Sequence, residues 1–502
     1  MKVLNTSSRT LHARLHGKRA LLVLAFAVVM STLSLGVSSV GAGLATPISP
    51  GLAGSASAGT GRQSTADQEL AREIFAELIE IPTVEGSDLT VEAAEAMAAR
   101  LIDAGFPAED VQVVGPEPRL GNLVARYRGT GEGGDPVLLM AHIDVVPALR
   151  EDWSFEPFVF READGYFYGR GTTDNKAGAA HLVANFIRLK QEGFVPERDL
   201  ILVLSADEET TGASVTWLVN ERRDLVDADF AINTDAGGGV LKNGKPHIFT
   251  VQASEKVYLT FQLEVKNPGG HSSIPVDDNA IYRLTMGLAR LSEFAFPIEP
   301  NEITRTYFAR YAQFEEGETA GLMEATGNGA AAAAARLASM EPYWNAMLRT
   351  TCVATRLAAG HADNALPQTA QAVVNCRILP GKSPDDVEAE LRRVLGDEEI
   401  ALTRLSEPTS SPPSPLTPEI METLESLVEE LFPGAPVIPT MSTGATDGLY
   451  VRNGGIPVYG VSAMLEDEDE EVRAHGRDER LSTRAFYDGL EFWYRMLKAF
   501  SS

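Results

Sequence analysis

The first half of the chain alternates between stretches with helical apolar spacing and short runs of apolar residues. The runs at 137–141 and 200–205 are apolar at nearly every position, so both faces of these strands are expected to be buried. The pattern predicts strands at 122–127, 137–141, 200–205 and 230–234, and helices at 66–79, 91–104, 174–191 and 213–220. Such alternation predicts an α/β domain with a mainly parallel sheet that helices cover on both faces.

From about residue 256 the pattern becomes that of half-exposed strands. Residues 257–265 alternate apolar and polar side chains with a period of two. The elements that follow are a helix at 280–291, strands at 351–357 and 370–379, a helix that begins after Ser383, and a strand at 400–405. The order βαββαβ predicts a compact, ferredoxin-like α+β unit at 256–408. The segment 296–350 inside it is expected to be a helical insertion.

A Ser- and Pro-rich stretch at 408–415 ends this unit, and the α/β pattern then returns. The returning elements are a helix at 418–431, a strand at 456–463 and a helix at 483–499. We therefore predict that 65–255 and 409–502 form one domain, into which 256–408 is inserted. His475 is then expected to lie close to His142 in space, although the two are far apart in the chain.

The N-terminal residues have the order of an export signal. Basic residues precede the apolar run at 20–30, and small residues then continue to Ala45. The apolar run is shorter than the ~20 residues that a spanning helix needs. We predict a signal at 1–45, cleaved after Ala42 or Ala45, with an uncleaved membrane anchor as the alternative. A flexible tether rich in Gly, Ser and Ala follows at 46–64, so the protein is expected to be periplasmic or secreted.

Net charge limits the possible partners of the protein, and the cysteine content allows one disulfide. With 70 acidic and 43 basic residues the formal net charge is −27, which argues against nucleic acid or an anionic membrane as a partner. The two cysteines, Cys352 and Cys376, lie on predicted neighbouring strands. In an oxidising compartment they could form a disulfide, and two free buried thiols remain the alternative.

Histidines and carboxylates stand at the ends of the apolar runs. His142 and Asp144 follow the run at 137–141, and Asp235 follows the run at 230–234. In open α/β sheets, ligands gather at the carboxyl ends of the parallel strands. The residues placed there are His142, Asp144, Asp174, Asp207, Glu208, Glu209 and Asp235, with His475 expected to join them. Two histidines and several carboxylates converging at this edge would form a two-metal hydrolytic centre.

The adjacent pair Glu208–Glu209 is the most specific of these signals. Adjacent residues in a loop can point in different directions, so one carboxylate can bind metal while the other accepts a proton from water. Without a cation, two carboxylates at a strand end would repel each other. Asp144, two residues after His142, is suited to hold the imidazole in one orientation.

Seven ordered motifs resemble those of a known family. They read HIDVVP, YGRGTTDNKAG, LSADEE, INTDAG, NPGGHSSIP, NCRILPG and RAHGRDER. From about residue 66 to the end the chain resembles the zinc exopeptidase family of glutamate carboxypeptidase, vacuolar carboxypeptidase S and aminoacylase. The inserted unit 256–408 then corresponds to the lid and dimerisation domain of that family, and a homodimer through the lid is the partner that the resemblance implies.

The resemblance also implies a role for each metal-site residue. Asp174 would bridge two Zn²⁺ ions, although Co²⁺ or Mn²⁺ would also suit these ligands. His142 and Asp235 would complete one site, and Glu209 and His475 the other. Glu208 would be the general base, and Asp144 would steady His142. Similar enzymes have a cis peptide after the bridging aspartate. Asn175 departs from the aspartate that is common at the next position.

The remaining implied residues would contact substrate. His271 would stabilise the oxyanion, in its own chain or its partner's, while Asn364, Arg377 and Gly444 would hold the carboxylate end. For Arg377 an ion pair within the lid is the alternative. The expected activity is that of a metallocarboxypeptidase acting on short peptides or N-acyl amino acids, and an aminoacylase or dipeptidase is the alternative. A non-catalytic peptide-binding protein on the same fold is the alternative from another class.

Overall fold

The computed structural model describes residues 60–471 and 473–501. The predicted export signal at 1–45 and most of the tether at 46–64 lie outside the described residues. Among the helices that are described, we find none with the length and apolar character needed to cross a bilayer. The first helix, α1, spans Thr60–Glu80.

A mixed sheet of ten strands carries the larger domain. Its central strands run parallel, since β3 pairs in parallel with β6 on one side and with β7 on the other. The spatial order is β1-β2-β6-β3-β7-β17-β9-β8-β18, and β16 pairs with β9 beside that path. The strands are β1 (Val111–Val114), β2 (Asn122–Tyr127), β3 (Val137–His142), β6 (Leu200–Ser205), β7 (Phe230–Asn233), β8 (Gly238–Lys242), β9 (Lys245–Glu255), β16 (Val437–Ser442), β17 (Val458–Gly460) and β18 (Leu465–Asp467).

Helices cover both faces of this sheet. Leu139 of β3 packs into a core with α1, α2, α3, α12 and α14, whereas its neighbours Leu138 and Met140 pack on the other side with α4, α5 and α13. The helices are α2 (Leu89–Asp103), α3 (Lys176–Gln191), α4 (Ala213–Glu221), α5 (Arg223–Val226), α12 (Pro418–Leu431), α13 (Gly448–Asn453) and α14 (Thr483–Phe500). Side chains that alternate between two buried faces explain why the central strands are apolar throughout.

The inserted unit is the predicted βαββαβ fold. Its four antiparallel strands have the order β12-β14-β10-β15, and α6 and α11 share one apolar core with the sheet. The elements are β10 (Val257–Lys266), α6 (Ala280–Glu293), β12 (Thr351–Ala359), β14 (Thr369–Ile378), α11 (Pro384–Leu395) and β15 (Ala401–Arg404). Cys352 and Cys376 face each other across β12 and β14 and form a disulfide.

The insertion between α6 and β12 is helical, as predicted. It comprises α7 (Glu302–Tyr311), α8 (Gly317–Gly327), α9 (Ala331–Ala338) and α10 (Pro342–Leu348). Phe308 and Leu337 pack in one core with Ile248 of β9 and Ile438 of β16. The insertion therefore lies against the large sheet, although in sequence it belongs to the small unit.

Two further small sheets complete the described part of the chain. One has the order β19-β5-β4, formed by Arg480–Ser482, Tyr166–Tyr168 and Arg161–Ala163. The other pairs β11 (Gly270–His271) with β13 (Ala365–Leu366).

The structure differs from the sequence-based expectations in several strands and in the start of one helix. Strands β9 and β16 were not expected, and Pro439 in the middle of β16 is a residue that rarely occurs inside a strand. The expected strand at 456–463 is shorter in the structure, where only Val458–Gly460 pairs with β7. The expected helix at 174–191 begins at Lys176, since Asp174 and Asn175 form the turn before it.

Candidate metal centre

Three neighbouring parallel strands bring the predicted site residues to one edge of the large sheet. His142 is the last residue of β3, and Ser205, the last residue of β6, lies opposite it. Glu208 and Glu209 follow β6 by three and four residues, and Asp235 follows β7 by two. The carboxyl ends of β6, β3 and β7 therefore present an imidazole and three carboxylates side by side.

Asp174 lies between the two histidines and contacts both. Its Oδ1 is 2.9 Å from His142 Nε2, and its Oδ2 is 3.0 Å from His475 Nε2. On the first side Asp235 Oδ1 approaches His142 Nε2 at 3.6 Å, and on the second side Glu209 Oε1 lies 3.0 Å from His475 Nε2. One oxygen of Asp174 thus faces each histidine–carboxylate pair, which is the arrangement of a bridging ligand.

Five side chains form two overlapping groups of candidate metal ligands. His142, Asp174 and Asp235 are the first group, and Asp174, Glu209 and His475 are the second, with the ligand atoms of each group within 4.8 Å of one another. The donor set of imidazole nitrogens and carboxylate oxygens suits Zn²⁺, Mn²⁺ or Co²⁺. So many carboxylates at one buried place would repel one another without cations, and the residues therefore fit a dinuclear centre.

The pKa shifts of these groups also indicate an excess of buried carboxylates. Burial raises the pKa of Asp235, and burial likewise raises that of Glu209. Burial opposes ionisation of Asp174 too, but the hydrogen bonds from His142 and His475 lower its pKa below its usual range. Hydrogen bonds to Asp174 and Glu209 raise the pKa of His475 to about 10. The pKa of His142 is raised too, despite its burial, by the nearby carboxylates, so cations would compete with protons for the nitrogens of both histidines.

Glu208, the predicted general base, lies in the same cluster. Burial, followed by the nearby carboxylate of Asp235, raises its pKa well above the usual value of a glutamate. A carboxylate with a raised pKa exchanges protons with water more readily near neutral pH than an ordinary glutamate does. Within the described chain, no hydrogen bond from another side chain occupies the Glu208 carboxylate, which leaves it free to accept a proton.

Asp144 contacts both His142 and the loop that carries Glu208 and Glu209. The imidazole Nδ1 is closest to the backbone carbonyl of Asp144, at 3.0 Å, and lies 3.5 Å from its carboxylate. The two carboxylate oxygens accept hydrogen bonds from the backbone N–H groups of Glu208, at 3.1 Å, and Glu209, at 3.0 Å. Asp144 therefore orients both His142 and the loop that carries the two glutamates.

Asn175, which departs from the pattern of similar enzymes, also supports the centre. The Asp174–Asn175 peptide is cis, as the resemblance implies. The side-chain amide of Asn175 donates to Asp235 at 3.1 Å, and its carbonyl oxygen accepts from the Thr234 hydroxyl at 2.6 Å. An amide can donate where a carboxylate cannot, so Asn175 stabilises the ionised form of Asp235 and adds no further negative charge.

Glu479 joins the two halves of the centre, and sequence reasoning did not identify it. Its buried carboxylate pairs with Arg170 and accepts hydrogen bonds from the backbone N–H groups of Thr173, at 2.8 Å, and Asp174, at 3.3 Å. Arg170 in turn donates to the backbone carbonyl of Gly476 at 3.0 Å, beside His475, whose φ is 61°. This ion pair therefore holds the loop of Asp174 against the loop of His475.

The segment 442–448 reaches the centre through Asp447, which sequence reasoning also missed. The Ser205 hydroxyl donates to the Asp447 carboxylate at 2.5 Å, and burial raises the pKa of Asp447 to about 8. Gly444, a predicted substrate contact, lies in the same segment, and its N–H donates to Ser442 Oγ at 3.0 Å. The segment is therefore anchored next to Glu208 and His142.

The structure brings two of the predicted substrate residues together within the lid. His271 is exposed in β11, where its Nδ1 accepts a hydrogen bond from Ser273, and the carbonyl of Asn364 accepts the N–H of Ser272 at 3.0 Å. Among the residues that the structure describes, no hydrogen bond or ion pair joins His271 or Asn364 to the five candidate ligands. Their placement at the substrate stays a prediction.

Arg377 lies on the face of the lid sheet that the lid helices leave open. Its guanidinium stacks over the Tyr258 ring at 4.6 Å and donates to Asn375 at 3.3 Å. Burial lowers the pKa of the Arg377 guanidinium. Among the residues described, no carboxylate lies within 4 Å of it, so the expected alternative of an ion pair within the lid is not observed. A half-buried cation without an anion is suited to bind one.

Comparison with known proteins places the chain among metallopeptidases. Residues 138–499 match the profile of Peptidase family M20/M25/M40. "Probable carboxypeptidase S-like 2" of Dictyostelium discoideum is 29% identical over 402 residues, which cover 75% of this chain and 74% of the relative. "N-fatty-acyl-amino acid synthase/hydrolase PM20D1" of Homo sapiens is 29% identical over 381 residues, covering 74% and 75%. The M20 family metallo-carboxypeptidase Sso-CP2 from Sulfolobus solfataricus shares the fold, with a TM-score of 0.65 at 17% identity, covering 86% of this chain and 99% of that one.

We predict that Glu479→Gln weakens metal binding without removing any ligand. Arg170 would keep a buried charge without its partner, and unfolding of the metal-free protein should become easier by about 3 kcal/mol or more. Because Asp174 and His475 lose their shared support, metal affinity should fall about 10- to 100-fold. Denaturant titration and competition with a metal chelator measure the two effects. Glu470→Gln, at a partly exposed acid that contacts Tyr166 and Arg480, is the control. Unchanged metal affinity in Glu479→Gln would contradict the assigned role.

Proposed function

Because the chain belongs to the peptidase family M20/M25/M40 and is a hydrolase of that family, we propose that it is a dinuclear zinc hydrolase. It cleaves the amide bond that precedes a C-terminal residue with a free carboxylate. The substrates are short peptides or N-acyl amino acids. The expected alternative of a non-catalytic binding protein is set aside, since the family is one of hydrolases.

The placement of Asp174 between His142 and His475 is the observation that carries this proposal. A carboxylate whose two oxygens each face a histidine–carboxylate pair would be suited to hold two cations. We assign His142 and Asp235 to one ion, Glu209 and His475 to the other, and Asp174 to both. Two bound divalent ions would lower the pKa of water and polarise the substrate carbonyl.

The residues of the chain then move the protons and hold the substrate. Glu208 takes a proton from the attacking water and returns it to the leaving nitrogen. Its carboxylate is available for this role, since no other described side chain occupies it. Asp144 keeps Glu208 in place through the hydrogen bond to its backbone N–H. His271 is assigned to the developing oxyanion, in its own chain or across a dimer.

The carboxylate end of the substrate is assigned to the lid. Arg377 offers a guanidinium that stacks on Tyr258 and has no carboxylate partner in the described chain, and a planar guanidinium binds a carboxylate through two parallel hydrogen bonds. Asn364 and Gly444 are assigned to the same end of the substrate. This requirement for a free carboxylate separates the proposal from an aminopeptidase.

N-acyl amino acids are the second candidate substrates. The human relative is named an N-fatty-acyl-amino acid synthase/hydrolase, and the Dictyostelium discoideum relative a probable carboxypeptidase. Both names are compatible with cleavage of an amide that releases an amino acid with a free carboxylate. A mass-spectrometric product screen on dipeptides and N-acyl amino acids distinguishes a peptidase from an aminoacylase.

We further propose, from the order of basic, apolar and small residues at 1–45, that the protein is exported.

We predict that Glu208→Gln retains both metal ions and loses turnover. The amide is isosteric with the carboxylate and cannot accept a proton, so kcat should fall by about 10²- to 10⁴-fold. Metal content by elemental mass spectrometry and steady-state hydrolysis of a dipeptide check both parts. Glu221→Gln, at an exposed end of α4, is the matched control. A variant as fast as the unmodified enzyme would remove Glu208 from the mechanism.

We predict that Arg377→Met raises KM only for substrates with a free C-terminal carboxylate. Loss of a charge-assisted contact should raise KM by about 10- to 100-fold, while the same peptides with an amidated C-terminus should be unaffected. Arg404→Met removes a lid arginine that already pairs with Asp385 and Glu388, and serves as the control. An equal response of free and blocked substrates would contradict the carboxylate assignment.

We predict a homodimer through the lid. Residues 353–359 of the edge strand β12 are all exposed, including Val353 and Leu357, and Tyr282 and Met286 are exposed on the adjacent α6. An unpaired apolar edge is a template for pairing with a second copy. Val353→Lys combined with Leu357→Lys should convert a dimer to a monomer in light scattering, whereas Val195→Lys should not. A monomeric unmodified chain at micromolar concentration would contradict the prediction.

A further inference from the structure

The chain enters the unit 256–408 from the large domain at one crossing and returns to it at a second. Glu255 ends β9 of the large sheet, and Val257 begins β10 of the lid, so the first crossing consists of Glu255 and Lys256. The second crossing runs from Leu405, whose N–H still bonds to Thr260 of the lid, to the start of α12. Any movement of the lid relative to the metal centre must bend these two segments, together with the links at the two ends of the insertion, which packs against the large sheet.

One buried arginine contacts both crossings. Arg452 of α13 forms an ion pair with Glu255 on the first crossing, and both side chains are almost completely buried. The same guanidinium donates to Ser411 Oγ on the second crossing at 3.4 Å and to the carbonyl of Val458 in the large sheet at 3.2 Å. Ser414 ties the second crossing to the same place, since its N–H donates to the carbonyl of Ala253. The two crossings are therefore joined at one point.

The same ion pair also reaches the metal centre. While Glu255 Oε1 binds Arg452, its Oε2 accepts the backbone N–H of Thr446 at 2.7 Å. Thr446 precedes Asp447, which binds Ser205 at the end of β6, opposite His142. A continuous set of hydrogen bonds thus runs from the first crossing to the segment that lies beside Glu208.

Lys256 anchors the first crossing to the insertion and to the lid strand β12. Its Nζ donates to the carbonyls of Ala346, at 2.9 Å, and Arg349, at 2.8 Å, and to Thr351 Oγ1 at 3.2 Å. Glu255 and Lys256 are adjacent and oppositely charged, yet within the described chain they do not pair with each other. The Glu255 side chain binds the metal-bearing domain, and the Lys256 side chain binds the insertion and the first residue of the lid strand β12, so these two adjacent side chains tie the crossing to all three parts.

We propose that the Glu255–Arg452 pair is the pivot of the lid and acts as a positioning pair for catalysis. The pair sets the angle of the lid relative to the segment 442–448 and Glu208. It thereby also sets the position of Arg377 relative to them. Its effect on turnover rests on the proposed function, whereas its effect on lid position does not. Neither residue contacts the five candidate metal ligands in the described structure, so metal content should be independent of the pair.

A buried ion pair adds little stability over an apolar replacement, but loss of one partner leaves a buried charge. This difference separates a positioning role from a structural one. Glu255→Gln and Arg452→Met should each lower the unfolding temperature, by more than about 5 °C, and the double variant should recover most of that loss. If the pair positions the lid, kcat should fall at least about 20-fold in both single variants and in the double variant, with metal content unchanged. Recovery of kcat together with stability in the double variant would show a merely structural role and overturn the proposal.

A distance measurement tests the pivot independently of any activity. Nitroxide labels at Val195→Cys on the large domain and Ala389→Cys on the lid, both at exposed positions, report the angle between the domains. Pulsed electron resonance on the metal-loaded chain, diluted with unlabelled chain, should give one narrow distance distribution. We expect that distribution to shift or broaden in the double variant. An unchanged distribution overturns the pivot, whatever the kinetics show.

A second ion pair supplies the matched control. Arg126 and Asp199 pair at 2.8 Å within the large sheet, away from both crossings. Arg126→Met with Asp199→Asn should leave the distance distribution and kcat as in the unmodified chain. If the unmodified enzyme hydrolyses none of the peptides or N-acyl amino acids, the proposed function fails and the distance measurement alone decides the pivot.

Discussion

The mutual repulsion of carboxylates at the ends of three parallel strands is the constraint on which the rest of the structure depends. Asp174, Glu208, Glu209 and Asp235 lie within one cluster with only two imidazoles between them, and burial removes the water that would screen their charge. The surrounding residues all act against this repulsion. Asp144 accepts the backbone N–H groups of the glutamate pair, Asn175 donates to Asp235, and the Glu479–Arg170 pair holds the two remaining loops together. A site this unfavourable without cations is one that the fold maintains for cations.

Much of this arrangement could be predicted from the sequence, because it depends on local patterns. Strands buried on both faces are apolar throughout, and their ends are marked by the polar residues that follow, so the positions of His142, Glu208, Glu209 and Asp235 were visible as breaks in the pattern. The βαββαβ order of the lid was equally visible from its half-exposed strands and from the N-cap at Ser383. Bringing His475 to His142 required only the inference that the chain returns to its first domain.

What could not be predicted depends on contacts between distant segments. Glu479 stands in the run RAHGRDER, where nothing local distinguishes it from a surface acid, and only the folded chain shows it buried against Arg170. Asp447 lies in a loop of small residues, and its contact with Ser205 joins two strands far apart in sequence. The insertion α7–α10 was recognised as helical from its alanines, but its packing against Ile248 and Ile438 follows from the shape of the sheet edge rather than from its own periodicity.

Under the proposed function the two domains hold opposite ends of the substrate, so the site would need both. The large domain concentrates carboxylates that attract cations, whereas the open face of the lid sheet presents Arg377 without a carboxylate partner in the described chain. A substrate with a carboxylate at one end and an amide carbonyl near it would be oriented by this asymmetry alone, with its anion toward the lid and its carbonyl toward the metals. Orientation would then depend on the distance between the two charged regions, which the proposed pivot at Glu255 and Ser411 would set. Under the proposed pivot, the buried Arg452 that joins those crossings would contribute to substrate recognition without touching the substrate.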